Sequence, residues 1–337
     1  MTVCIGINGF GRIGRAVLRR MLDADFHTDI EVVAINDLAD AGTLAHLLAH
    51  DSTYGTLAVP VRAGASFIDV DGRTIGITSH TDPADIDWSA YGADLVIEAT
   101  GRFRTRDDAA RHFKGGARKV LISAPGKSVD ATIIPGVNDD AYDARVHDVV
   151  SMASCTTNCV APMIKVLHDD FGVVKGFMTT VHAYTGDQVL LDAPHTDLRR
   201  ARSAAVNIVP TTTGAAHAVG QVLPELDGRL DGVALRVPVE DGSIIDLAAI
   251  LSRPATKEQI NMAFADAADG PMRGILRFST APLVSRDVIG DTASCVFDSP
   301  LTQAHGTLVR IFGWYDNERG YAGRLAELAE RMGHSLP

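Results

Sequence analysis

The chain reads as an α/β protein in which a doubly wound, mostly parallel sheet is followed by an α+β domain with a largely antiparallel sheet. Three observations predict this. Short aliphatic runs alternate with stretches of helical spacing over the first 150 residues, and a glycine-rich turn joins the first run to the first helical stretch. Beyond residue 155 longer strands of alternating polarity take over. A length of 337 residues gives room for two domains of ordinary size.

The elements follow in order. Residues 3–7 form the first strand, and 12–22 a helix through Ile13, Val17, Leu18 and Met21. A second strand covers 30–35 and a second helix includes 44–48. The runs 95–99, 119–123, 132–135 and 148–151 supply further strands, several apolar on both faces, as strands covered by helices on both sides should be. After residue 155 a helix is expected over much of 158–168, with Pro162 disturbing its early turns. Strands with alternation follow at 173–184, 232–237, around Val296 and at 308–314. Between the first two lies a polar stretch, 186–203, without periodicity, and a loop of that length is usually functional or sits at an interface. The last helix, 321–332, is amphipathic through Leu325, Leu328 and Met332. The expected division is a nucleotide domain over 1–153, a catalytic and oligomerisation domain over 154–317, and a helix over 318–337 returning to the first domain.

Composition narrows the function. The formal net charge is −11, which argues against a general nucleic-acid or anionic-membrane binder. Hydrophobic residues make up 46% and charged ones 22%, enough apolar material for a packed protein. No run reaches the roughly 18 apolar residues of a membrane span, and the N-terminus lacks a basic region before its apolar stretch. Four scattered cysteines do not make a disulfide framework, so a reducing, cytoplasmic setting is the expectation.

The segment Gly9-Phe10-Gly11-Arg12-Ile13-Gly14 is a GxGxxG turn. Alone it reads equally as a glycine-rich turn, but here a strand precedes it, a helix follows, and Asp37 ends the next strand. Gly9 permits the tight turn, Gly11 lets the backbone approach a pyrophosphate, and Gly14 lets helix and strand pack closely. Asp37 lies where a carboxylate would bind ribose hydroxyls and repel a 2′-phosphate, which favours NAD over NADP. The first domain is therefore expected to be Rossmann-type.

Cys155 opens a helical run, where the dipole and N–H groups should lower its pKa and stabilise an oxyanion. Cys159, one turn later, is expected to be a buried small apolar residue. No His or Cys ligands lie near the pair in sequence, so no metal site is expected. His182 follows 27 residues after Cys155. A lone strand histidine is more often a hydrogen-bonded core group than a catalyst, but beside a helix-start cysteine it could activate the thiol and shuttle a proton.

With these motifs in hand, the chain resembles the phosphorylating glyceraldehyde-3-phosphate dehydrogenases along its whole length. The carriers are NGFGRIGR (8–15), IND (35–37), SCTTNC (154–159), TTVHAYT (179–185), PTTTGAA (210–216), RVP (236–238) and WYDNE (314–318). The resemblance implies that Cys155 attacks the aldehyde and that His182 takes the hydroxyl proton of the thiohemiacetal as hydride leaves for NAD. Inorganic phosphate then releases the thioester as an acyl phosphate. It implies that Thr185 and Arg236, with Arg199 as a neighbour, hold the substrate phosphate of glyceraldehyde 3-phosphate. Ser154, Thr156, Thr213 and Gly214 would hold the attacking phosphate. For the cofactor it implies Gly9, Gly11, Arg12, Ile13, Gly14 and Asp37, with Thr100 and Ser123 lining the crevice; the last two fit ordinary strand-end capping equally well. Asn317 would hold the nicotinamide carboxamide, and Pro194 with Leu38 matches an NAD-preferring pattern. The resemblance also implies that the 186–203 loop crosses to a neighbouring subunit of a homotetramer. One departure stands out: after RVP the chain reads Val239-Glu240-Asp241, and two carboxylates near Arg236 are expected to weaken substrate phosphate binding or to alter inhibitor sensitivity. The rival readings are an erythrose-4-phosphate dehydrogenase and a non-catalytic NAD-binding protein.

Overall fold

The computed structural model describes residues 2–336, and these divide into two compact units. The first holds the chain up to Ile133, then Asp140–Ala153 and the segment from Ala322 on; the second holds Ile134–Asp139 and Ser154–Tyr321.

In the first unit nine strands form one sheet: β1 (Val3–Asn8), β2 (Ile30–Asn36), β3 (Val61–Ala63), β4 (Phe67–Val70), β5 (Arg73–Thr78), β6 (Leu95–Glu98), β7 (Lys119–Ile122), β8 (Ala131–Thr132) and β9 (Val149–Ser151). Their order across the sheet is β8-β9-β7-β6-β1-β2-β5-β4-β3. From β8 to β5 all neighbours are parallel, whereas β3 to β5 pair antiparallel. The central strands are buried on both faces: Ile5, Ile7, Leu95, Ile97, Val120 and Leu121 are fully enclosed. That double burial explains their unbroken aliphatic runs. The antiparallel extension at 61–78 escapes the sequence reading, because its short strands are half exposed and carry little apolar signal.

Because β1 connects outward to β2 on one side and the chain later returns to β6 on the other, the sheet has a switch point between β1 and β6. The carboxyl ends of such neighbouring parallel strands are where ligands bind in this architecture. The turn after β1 and Thr100 after β6 both lie there.

The second unit has a sheet of β10 (Val173–Ala183), β11 (Val209–Thr212), β12 (Leu230–Val237), β13 (Ser243–Leu251), β14 (Leu276–Ser279), β15 (Cys295–Asp298), β16 (Gln303–His305) and β17 (Leu308–Tyr315). The main path runs β11-β12-β10-β13-β17-β15-β14, with β16 on β17. Most pairs are antiparallel; β10–β12 and β14–β15 are parallel. β13 and the helix Lys257–Asp269 were not anticipated, although Thr256 and Gln259 form a capping box at that helix's start.

The main helix of this unit runs over Cys155–Phe171, three residues earlier than expected. Ser154 sets its start, accepting the N–H of Thr157 at 3.1 Å, a signal that apolar spacing does not carry. Pro162 lies inside it without ending it. One turn's N–H is missing there, but Cys159, Val160, Ala161, Pro162, Met163 and Ile164 are all buried, so packing offsets the lost bond. The 186–203 loop has no regular structure, and carboxylates anchor it. Asp192 accepts from Ser203 N–H and from Arg202, and Asp197 accepts from Thr211 Oγ1 at 2.6 Å.

Candidate active site

At the glycine turn, Gly9 adopts φ +92°, and a Cβ there would meet the Thr100 backbone at 2.7 Å. A Cβ on Gly14 would strike the Gly9 carbonyl at 2.4 Å, whereas one on Gly11 would meet open space. Two glycines are thus required by packing, and the third leaves room for a ligand. Gly11 is also the N-cap of the helix Arg12–Met21, which has no acidic residue in its first turn, so the positive end of its dipole is left for an anion. Arg12 and Ile13 form that first turn, and the Arg12 guanidinium turns away to Asp51 at 2.5 Å.

Asp37 lines a cleft of about 270 Å³ together with Gly9, Gly11, Leu38 and Thr100. Its carboxylate accepts from Phe10 N–H at 2.7 Å and Ala39 N–H at 3.0 Å, which ties the second strand's end to the turn. Below the cleft a buried polar chain fixes the strand ends. Trp88 Nε1 donates to His112 Nδ1 at 3.0 Å, so the His112 proton sits on Nε2, 3.1 Å from Glu98. Glu98 in turn accepts from Asn8 and from the N–H and hydroxyl of Thr100. Ser123, by contrast, follows β7 with its N–H on the Glu98 carbonyl and is not part of the cleft lining.

In the second unit, strand register assembles the chemistry. His182 on β10 stands opposite Arg236 on β12, and alternation turns Met178, Thr180 and His182 to the buried face. The His182 Nε2 lies 3.5 Å from Cys155 Sγ. Its Nδ1 is 2.7 Å from the Ala183 carbonyl, which can only accept. Arg236 Nη1, which can only donate, lies 2.9 Å from the same Nδ1. In the tautomer whose Nδ1 proton goes to the Ala183 carbonyl, the Nε2 lone pair faces the sulfur, as a general base requires. Arg236 Nη1 donates to that same carbonyl at 3.0 Å and to Thr185 Oγ1 at 3.1 Å.

The electrostatics correct one expectation. Burial pushes the Cys155 thiol up to about 11, outweighing Arg236 and the hydrogen bonds from Thr156, which pull it down. Burial, and then the Arg236 charge, hold His182 down to about 3. The sulfur loses more from desolvation than it gains from Arg236 and the Thr156 hydrogen bonds. Near neutral pH the pair is thiol and neutral imidazole.

Arg236 and Thr185 form a cationic, hydroxyl-lined corner. The Arg236 Nε and the Gln188 Nε2 are both buried there without a hydrogen-bond partner among the described residues. Donors left over in a buried corner suit an anion. Arg200 joins this corner. Its Nε donates to Thr211 Oγ1 at 3.0 Å, and it pairs with Asp187, which also accepts from Thr185 Oγ1.

Comparison with known proteins agrees with this geometry. Residues 3–106 match the NAD binding domain, and 154–317 the C-terminal domain, of glyceraldehyde 3-phosphate dehydrogenase. The chain belongs to the glyceraldehyde-3-phosphate dehydrogenase family. It is 56% identical to a glyceraldehyde-3-phosphate dehydrogenase of Streptomyces coelicolor, with 100% of each chain covered. It is 54% identical to glyceraldehyde-3-phosphate dehydrogenase 2 of Streptomyces avermitilis, also over 100% of each. Its identity to the enzyme of Geobacillus stearothermophilus is 53%, over 98% of each.

Set against the family pattern, the site residues sort by environment. Arg199 is exposed, and its neighbour Arg200 is the arginine that reaches the anion corner; a loop without periodicity gave no way to choose between them. Glu240 and Asp241, expected to bear on the phosphate at Arg236, are both engaged by other groups. Glu240 pairs with Arg286, and Asp241 is buried, accepting the N–H of Gly242 at 2.8 Å and of Asn317 at 3.2 Å. Asn317 has its Oδ1 bound by Ser243 Oγ at 2.7 Å, which orients its amide. Thr213 accepts the N–H of Ala215 at 3.2 Å at the start of the helix Ala215–Val222, whose N-cap is Gly214. Ser154 caps the Cys155 helix, and the Thr156 hydroxyl lies against Tyr315. Pro194 is exposed on the loop. Cys159 is fully buried, its thiol 3.7 Å from the Gly313 carbonyl. Asp187, Gln188, Arg200, Ser243 and Tyr315 were not singled out from sequence, since nothing local marks a residue whose partner lies on another strand.

Proposed function

We propose that the chain oxidises glyceraldehyde 3-phosphate to 1,3-bisphosphoglycerate, consuming inorganic phosphate and reducing NAD. The observation that carries this is the Cys155–His182 contact at 3.5 Å beside Arg236. Cys155 passes its proton to His182 as the sulfur bonds to the aldehyde carbon, and the carbonyl electrons move to oxygen, which takes up the proton as a thiohemiacetal. His182 withdraws that proton again while hydride leaves the carbon, and a thioester remains on Cys155. NAD, when bound, supplies the acceptor for that hydride. The open side of Gly11, the uncapped helix start and the Asp37 carboxylate fit a dinucleotide, with Gly9, Arg12, Ile13, Gly14 and Thr100 forming the cradle and Asn317 orienting the carboxamide. Inorganic phosphate then attacks the thioester carbon, the C–S bond breaks, and the acyl phosphate departs.

Thr185 and Arg236, with Arg200 in place of Arg199, hold the substrate phosphate. Ser154, Thr156, Thr213 and Gly214 receive the attacking one. The 1–153 and 154–317 segments are read as the NAD and catalytic domains, with 318–337 completing the first. A homotetramer is supported by apolar side chains left open to solvent: Leu190, Leu191 and Leu198 on the loop, and Phe177 and Val233 on the sheet. A monomer by sedimentation would overturn that part. The acidic, cysteine-poor composition supports a cytoplasmic place without nucleic-acid or membrane partners, and among the described residues no helix is long and apolar enough to cross a membrane.

An initial-rate assay with glyceraldehyde 3-phosphate, NAD or NADP, with and without phosphate, tests the reading. Phosphate-dependent NADH formation is expected. Faster turnover of erythrose 4-phosphate would move the chain to the rival dehydrogenase, and tight NAD binding without turnover would make it a binding protein.

A further inference from the structure

β13 lies between β10 and β17 in the sheet. Its first residue, Ser243, pairs with Tyr315 on β17, and the next, Ile244, pairs with Val181 on β10. Ser243 thus stands between the end of the strand that carries His182 and the end of the strand that leads to Asn317. It is fully buried and joins the two. Its hydroxyl accepts the Ala183 N–H at 3.1 Å and lies 2.7 Å from Asn317 Oδ1. On the other side of the same residue, the Ala183 carbonyl lies 2.7 Å from His182 Nδ1 and accepts from Arg236 Nη1 at 3.0 Å. The Asn317 backbone is held as well, its N–H donating to Asp241 Oδ1 at 3.2 Å.

Counting protons decides which end of the Asn317 amide meets Ser243. A backbone N–H can only donate, and a serine hydroxyl has one proton to give. With Ala183 donating to the Ser243 oxygen, that proton goes to Asn317 Oδ1, its other partner among the described residues. Turning the amide round would set NH2 against the same oxygen and leave a buried hydroxyl proton without an acceptor, which is costly. The Asn317 oxygen is therefore turned toward Ser243. Among the described residues nothing accepts from its Nδ2, so an N–H pair is what Asn317 offers a ligand. We propose that Ser243 is a positioning residue that fixes Asn317 as a donor, so that the protein selects a dinucleotide whose pyridine ring carries a carbonyl oxygen at C3.

This rests on reading Asn317 as the partner of the nicotinamide carboxamide, and the probes separate the two. Calorimetry on the full chain gives dissociation constants for NAD and two analogues. Acetylpyridine adenine dinucleotide keeps the carbonyl. In 3-aminopyridine adenine dinucleotide the substituent offers only N–H, because its lone pair is drawn into the cationic ring. The unmodified protein should bind the amino analogue at least about tenfold more weakly than the acetyl one, the effect of one mispaired hydrogen bond. Ser243→Ala frees the amide to turn its oxygen toward an amino group, so the ratio should fall to about threefold or less. Asn317→Ala should abolish the preference. A general loosening of the fold would weaken both analogues alike, so an unchanged ratio in Ser243→Ala overturns the positioning role whatever its melting temperature. Equal binding of the two analogues by the unmodified protein, with NAD still bound, overturns the donor assignment, as does a preference that survives Asn317→Ala. Failure of NAD itself to bind would overturn the cofactor reading, and the inference with it.

Discussion

The helix Arg12–Met21 starts from a bare glycine, whereas the helix Cys155–Phe171 starts from a serine whose side chain caps it. Both ends carry function, and the contrast shows how one local device serves two tasks. At Gly11 there is no side chain to occupy the helix end, and a Cβ would meet nothing within 4 Å. The dipole and N–H groups are kept for a ligand that comes and goes. At Ser154 the hydroxyl takes the Thr157 N–H and fixes the first turn, so that the next residue, Cys155, holds its sulfur 3.5 Å from His182. The first end is built to be filled, the second to be rigid.

The contrast can be broken most severely at the rigid end. Cys155→Ser should lower turnover by at least about 10³-fold, because a hydroxyl is a far poorer nucleophile near neutral pH; NADH formation measures it, and near-normal activity would refute covalent catalysis. His182→Asn should cost about 10²–10⁴-fold in turnover with NAD binding retained. A related pH expectation follows from the two perturbed groups. With the thiol at about 11 and the imidazole at about 3, the ligand-free pair is neutral at pH 7. Raising the pH above neutrality populates the thiolate, so Cys155 alkylation should accelerate about tenfold per pH unit between 7 and 9. A plateau beginning near pH 6.5 would reveal a standing thiolate–imidazolium pair instead.

At the open end the effects should be smaller and should separate binding from folding. Gly11→Ala should leave the melting temperature close to the unmodified protein's while weakening NAD roughly tenfold, because the methyl fills ligand space only. Gly9→Ala should destabilise the fold by about 1–3 kcal/mol, since it forces a side chain into positive φ and onto the Thr100 backbone. Equal losses of stability in both would show that Gly11 is structural. The smallest effect is expected from Ser154→Ala, about 1 kcal/mol of stability for a lost cap. If its turnover fell far more than its stability, the serine would be acting on the phosphate as well.

The glycine turn was legible because its logic is local. Gly9, Gly11 and Gly14 act within one strand–turn–helix, and spacing alone conveys that. Cys155 and His182 were legible as candidates through their helix-start and strand positions, and as a pair through family resemblance. The arginine of the anion corner was misassigned by one residue. In a loop held by Asp187, Asp192 and Asp197, no periodicity tells which of two adjacent arginines turns inward. The burial that pushes the Cys155 thiol up is likewise not written in the residues flanking it.

The amino-acid sequence by itself determined the parallel β–α rhythm of the first 150 residues and the glycine turn with Asp37 at the end of the next strand, because these rest on periodicity and on near neighbours. Cys155 and His182 came together as nucleophile and base only through family resemblance. Only the tertiary structure decided which groups meet across strands. The parallel register of β10 and β12 sets His182 beside Arg236, and Tyr315 and Thr180 reach Thr156 from separate strands. It also decided the charge state at the sulfur, because desolvation depends on everything packed around an atom and not on its position along the chain. Asp241 is the plainest case: a carboxylate read as a threat to the phosphate site is, once folded, an acceptor that holds the backbone of Asn317.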